Sequence, residues 1–286
     1  MRRSCAILSL GLLLAAPASS SRDFHFSFWS DNPQPYLAAI KNSAGTPLFP
    51  PPAGKRACGG IVTHHFLASA LMVRFFAGLQ SQPPPETIIL LGPNHFHQGL
   101  ANISLSSLPW KTPFGLLPAN QQLARQIAHA IQLPEDPEAF TGEHSVGVLI
   151  PFLKYYFPQA RVVPILIDPN ASASRLQRLR EILSIQLRNP RTLVLLSLDF
   201  SHDSLASIAD ERDAQAQMAI SSLDSSKTHE LHVDSRKGLR LLLESMKQSG
   251  CSSVQFNEHT NSARLTGKLD QPNATSYFTI YFLASP

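Results

Sequence analysis

Five short stretches of the chain carry side chains that could do chemistry, and three of them follow apolar runs. "GGIVTHH" (59–65) ends on His64 and His65, and "TIILLGPNHFH" (87–97) ends on Asn94, His95 and His97. "LVLLSLDFSH" (193–202) ends on Asp199, Ser201 and His202. "GEHS" adds Glu143 and His144, and "HVDSRKG" adds the carboxylate of Asp234. A single histidine at a strand end is commonly a turn residue or a hydrogen-bonded structural one. Two imidazoles and a carboxylate converging from separate strand ends are instead the ligand set of a catalytic divalent metal. Neutral imidazole suits iron, copper, nickel or zinc, and one carboxylate completes a three-ligand face with open positions.

The elements that must position these residues can be read from the apolar pattern. "TIILLG", "ARVVPILI", "RTLVLLSLDFSH" and "SYFTIYFLA" are continuous apolar runs expected as strands, and "CGGIVTHH" is a short strand stopping at His64. "FLASALMVRFFAGLQ", "PANQQLARQIAHAIQ" and "ASASRLQRLREILSIQLRN" show helical spacing, as do about 206–223 and 235–249. Pro118 is expected near the start of the second of these, and Pro151 to bend or interrupt "SVGVLIPFLKYYF". Apolar strands alternating with helices predict an α/β fold: a three-layer α/β/α sandwich around a mainly parallel, mixed sheet. In such folds ligands sit beyond the carboxyl ends of the strands, where the histidines fall.

One strand end has its own expectation. Gly92 permits a backbone conformation that a larger residue would resist, and Pro93 removes a ladder donor, so together they end the strand. His95 then aims back at a metal shared with His64, and Asn94 holds the turn by bonding the local backbone. His97 would share a side with His95 if the loop stays extended, which makes it a reserve ligand or a supporting group behind the ligands.

Composition bounds the class. The chain has 286 residues, 43% apolar and 15% charged, which suits a folded domain with a sizeable core. "MRRSCAILSLGLLLAAPASS" (1–20) has the basic start, apolar run and "APA" of a secretory signal, and its apolar run is too short to span a bilayer. An exported, periplasmic or extracellular protein is expected, with cleavage near Ala18 and no stable membrane span afterwards. Residues 21–57 are rich in Pro and Ser and are expected as an irregular arm, with 58–286 as one domain. Losing Arg2 and Arg3 takes the formal charge from +4 to +2, too weak and dispersed for nucleic acid. Cys58 and Cys251 could pair in an oxidising compartment, and no CxxC or CxxH suggests a structural zinc site. Neither a G-x-S-x-G elbow nor a phosphate-binding glycine loop is present.

"GGIVTHH", "ILLGPNHF", "GEHSVGVLIPFLKYYFPQARVVPILI" and "SLDFSHD" resemble, in order and rough spacing, the Memo family. Its bacterial members are called AmmeMemoRadiSam system protein B. The resemblance spans about 58–284. It implies a fold similar to the LigB-type class III extradiol dioxygenases, with a non-haem iron site. It implies His64 and His95 as metal ligands, although Thr63 stands where the family has proline. His144 and His202 match further histidines of the cleft, with acid/base roles, and Asp199 matches its acidic residue. Where human-type Memo has a cysteine, Asp234 stands nearest, with Glu230 and His232 as alternative third ligands. A carboxylate there favours a harder metal, iron before copper. Glu143 sits behind the ligands. A functional link to AMMECR1-like and radical SAM proteins is implied, and the small-molecule or peptide ligand is not. Two functions follow: a metal-dependent redox enzyme of dioxygenase type, or a non-catalytic metal-, peptide- or ligand-binding protein keeping the old cleft.

Overall fold

A computed structural model describes residues 23–284; the expected signal segment lies outside the described residues. The strands are β1 (His25–Phe26), β2 (Arg56–Val62), β3 (Thr87–Pro93), β4 (Ile103–Leu105), β5 (Trp110–Thr112) and β6 (Gly115–Leu117). They continue with β7 (Arg161–Ile167), β8 (Thr192–Ser197), β9 (Phe200–Ser204), β10 (Ser253–Asn261) and β11 (Ala274–Ala284). The helices are α1 (Gln34–Asn42), α2 (Ser69–Leu79), α3 (Gln121–Ile131), α4 (His144–Gly147) and α5 (Ile150–Tyr156). After them come α6 (Ala173–Gln186), α7 (Ala206–Ser221), α8 (Arg236–Ser249) and α9 (Ser262–Thr266).

The large sheet runs β10-β11-β2-β8-β3-β7-β4, with β9 pairing β11. Its centre, β2-β8-β3-β7, is parallel, and β4, β11, β10 and β9 are added antiparallel. The pleat sends alternate side chains to opposite faces. Ile88, Leu90, Leu193 and Leu195 pack with residues of α1, α2 and α5 on one side. Ile89, Leu91, Val194 and Leu196 pack with α3, α6 and α8 on the other. Because both faces are covered, the central strands are apolar throughout, and the three layers are those expected. Among the described residues, no helix is long and apolar enough to cross a membrane.

Four expectations need correction. The stretch 21–57 is not an irregular arm: it holds β1 and α1, and Tyr36 is fully buried with its hydroxyl donating to Val148 O at 3.2 Å. Proline there starts a helix rather than breaking one, since Pro35 lies in the first turn of α1. Pro118 lies outside α3, whose start is capped by Asn120 accepting from Leu123 N. "RTLVLLSLDFSH" is two strands; the chain leaves β8 after Ser197 and re-pairs as β9 against β11. β10 was not expected, because an edge strand needs little apolar content, and "SVQFNEHTN" has little. The expected effect of Pro151 is present: it sits in the first turn of α5, separated from α4.

Cys58 on β2 and Cys251 just past α8 form a disulfide, with Cα atoms 6.3 Å apart.

Candidate metal centre

His64 leaves the carboxyl end of β2 and is buried. Its Nδ1 lies 2.9 Å from Ser197 Oγ, and the Ser197 hydroxyl donates to Ser145 O. A hydroxyl that has given its proton away must accept from the imidazole. In the neutral ring Nδ1 therefore carries the proton and Nε2 the lone pair. That Nε2 faces Asp234 Oδ2 at 3.4 Å and Asp199 Oδ2 at 3.6 Å.

His95 is held the same way. Its Nδ1 lies 2.8 Å from Glu143 Oε1, and its backbone N donates to Glu143 Oε2 at 2.8 Å. Nε2 is left toward Asp234 Oδ2, 3.8 Å away. Burial opposes charge on His95, but the Asp234 and Glu143 carboxylates outweigh it and raise its pKa to about 9. Glu143 is fully buried and also caps α4 by accepting from Ser145 N, so it fixes ligand and helix together. Gly92 does not serve here through its dihedral, because it has no positive φ. A Cβ on it would meet Ser145 Oγ at 2.8 Å and Val146 Cγ1 at 3.0 Å, so glycine lets α4 approach β3. β3 also does not end at Gly92: Pro93 pairs with Ile167.

His144, at the start of α4, stacks on His95 with ring centroids 4.2 Å apart. Burial and the nearby His95 and His64 push its pKa down to about 4, so it is a neutral imidazole. His64, His95 and His144 can each offer one atom such that all lie within 4.8 Å, and so can His64, Asp199 and Asp234. Asp234 and Asp199 are clipped by reciprocal backbone bonds: Asp199 N donates to Asp234 Oδ2 at 3.1 Å, and Asp234 N to Asp199 O at 3.2 Å. Asp234 Oδ1 is buried with no hydrogen-bond partner among the described residues. Asp199 Oδ1 accepts from Thr63 Oγ1 and from His64 N, the latter at 3.2 Å. The threonine in place of proline thus supplies a donor that holds the acid.

Other candidates fall elsewhere. His97 turns away from the centre: the loop turns at His97 (φ +50°), and the exposed ring pairs through Nδ1 with the buried Asp168 at 2.5 Å. Asn94 clasps Gln98 through both side-chain groups and holds the turn. Glu230 faces solvent beside Lys227 and His229, and exposed His232 gives its carbonyl to Ser201 N, so neither competes with Asp234 as third ligand. His202 is exposed on β9 and lines the rim of a cleft of about 460 Å³ over the histidines. The cleft wall includes Phe28 and Trp29, from the stretch read as an arm, and Ser197 and Ser145 were missed as supports. The signal for Ser197 was a polar residue inside an otherwise apolar strand.

The model of the Memo-like protein family matches residues 27–281. The chain belongs to the Memo family. MEMO1 family proteins of Pyrobaculum aerophilum and Pyrobaculum arsenaticum are 26% and 29% identical to it, each over 85% of this chain and 90% of the relative. The crystal structure of an uncharacterised protein from Escherichia coli superposes with a TM-score of 0.51 at 13% identity. It covers 74% of this Memo chain and 92% of that one, a likeness of fold. The match begins at residue 27, so it takes in the packed α1 ahead of residue 58.

Proposed function

We propose that this Memo protein holds a divalent transition metal on His64 Nε2, His95 Nε2 and Asp234, with iron the best fit and copper the next. One observation carries this: both Nδ1 atoms are occupied by fixed partners, so a metal that displaces the Nε2 protons meets two lone pairs turned toward Asp234, whose Oδ1 is buried and unpartnered. Two imidazoles and a carboxylate on one face suit iron(II) and leave positions open. A bound iron would supply a Lewis acid and a one-electron couple. The chain's own residues orient and shield. Glu143 and Ser197 lock the two rings, and Phe28 and Trp29 wall the cleft. Neutral His144 is placed to accept a proton or to join the ligands, and His202 stands at the mouth. Elemental analysis of protein purified without a histidine tag or chelator should give about one metal per chain. His95→Ala should lose it while keeping the circular dichroism of the fold, since a strand-end loop lies outside the core. A wild type with no transition metal, or a fully loaded His95→Ala, would overturn the assignment.

We further propose that the protein is exported. The leader at 1–20 and the Cys58–Cys251 disulfide both suit an oxidising compartment. Intact mass of natively produced protein should lack about the first 18 residues; a full-length cytosolic product contradicts this.

A further inference from the structure

On the other side of Asp234 lies a separate cavity of about 540 Å³. Its wall is the start of α8: Ser235, Arg236, Lys237 and Arg240 line it, with His229 at the rim, and Asp234 is its one carboxylate among the described residues. No acidic residue occupies the first turn of α8, although the positive end of a helix favours one. Two cations stand there instead. Ser235, the N-cap residue, is 5% exposed, yet its hydroxyl caps no helical N–H and takes no hydrogen-bond partner among the described residues. Behind it a Cβ on Gly238 would lie 2.5 Å from Ser235 Oγ, so glycine keeps this turn clear. Lys237 Nζ donates to Ala171 O at 2.7 Å and Arg236 Nε to Leu231 O at 2.7 Å. Each cation is thus held in place by a neutral carbonyl that leaves its charge uncompensated. A largely buried serine whose hydroxyl caps nothing, two anchored cations and an uncapped 14-residue helix converge on one space.

We propose that this cavity is an oxyanion subsite, taking a compact carboxylate or phosphate group through Ser235, Arg236, Lys237 and the N–H groups of α8. The anion site stands without the metal. Its further role rests on the metal-centre proposal: Asp234 lines this cavity and is a proposed ligand, so an anion bound here acts on the metal centre through that carboxylate.

The test is thermal unfolding of metal-free protein titrated with inorganic phosphate or with malonate, at ionic strength held constant with chloride. A saturable rise in Tm with either supports the subsite, and the ligand giving the larger rise names the preferred anionic group. The double variant Arg236→Gln, Lys237→Gln should bind at least tenfold more weakly, and Ser235→Ala should weaken binding with the helix charges intact. His95→Ala should bind the anion as wild type does. No saturable rise with either anion, or binding equal to wild type in both the double variant and Ser235→Ala, overturns the proposal, as does loss of anion binding in His95→Ala. A failed metal centre reads differently: no metal in the wild type, with phosphate or malonate binding unchanged.

Discussion

Ser197 and Glu143 decide which nitrogen of each histidine is free, and that makes them as consequential as the ligands. Removing the Ser197 hydroxyl frees His64 to turn or to change tautomer; removing one Glu143 oxygen charge does the same to His95. Ser197→Ala and Glu143→Gln should each lower metal affinity about 10- to 100-fold with the fold retained. Competition against a fluorescent chelator measures this, and unchanged affinity in both would show that the rings are held by something else. At this scale the candidate ligand types were legible. His64, His95 and Asp234 stand out because apolar runs end beside two of them and a helix starts beside the third. Of their supports, Glu143 was legible as standing behind the ligands, whereas Ser197 was missed although it is the polar residue inside an otherwise apolar strand. Gly92 was singled out for the wrong physical reason. The sequence shows a glycine, but the neighbour that needs the space, α4, is brought there only by the fold.

The elements split by how many of their faces are covered. β3, β7 and β8 are buried on both faces and announce themselves as unbroken apolar runs. β10 borders only β11, and α1 begins among prolines, so neither has a strong periodic signal. α6 and α8 lie side by side on the sheet, and a charge cluster ties them. Glu244 of α8 meets Arg240 at 2.8 Å, Arg180 of α6 at 3.3 Å and the Ser225 hydroxyl at 3.3 Å. Partial burial opposes its charge, but these partners prevail and hold its pKa below the usual carboxylate range. A depressed carboxylate adds stability that is full above its unfolded pKa and lost as pH falls through the folded one. Wild type should therefore lose stability below about pH 4.5 more steeply than Glu244→Gln does. The cluster is partly exposed, so the difference should stay under about 1 kcal/mol. Denaturant midpoints at pH 3.5 and 7 for both proteins check it; identical acid losses would remove Glu244 from the account.

Across the whole molecule, the disulfide and the proposed metal site use the same two elements. β2 carries Cys58 and leads into His64; α8 follows Asp234 and runs to Cys251. The bond ties the far end of α8 to β2, while the proposed metal would tie the near end to the same strand. Two clamps at opposite ends fix the position of Asp234 relative to His64 along the length of a 14-residue helix. The bond closes a long stretch, 193 residues in sequence, so its loss should release much unfolded-state entropy. A typical native disulfide contributes about 2–4 kcal/mol. For a domain of this size, that corresponds to a drop in Tm of roughly 5 to 15 °C. Metal-free protein should be used, because thiol reductants bind metals. Its melting curve with and without dithiothreitol, with alkylation to count free thiols, separates the cases. Release of thiols from Cys58 and Cys251 with no fall in Tm would mean that packing alone holds α8 on β2.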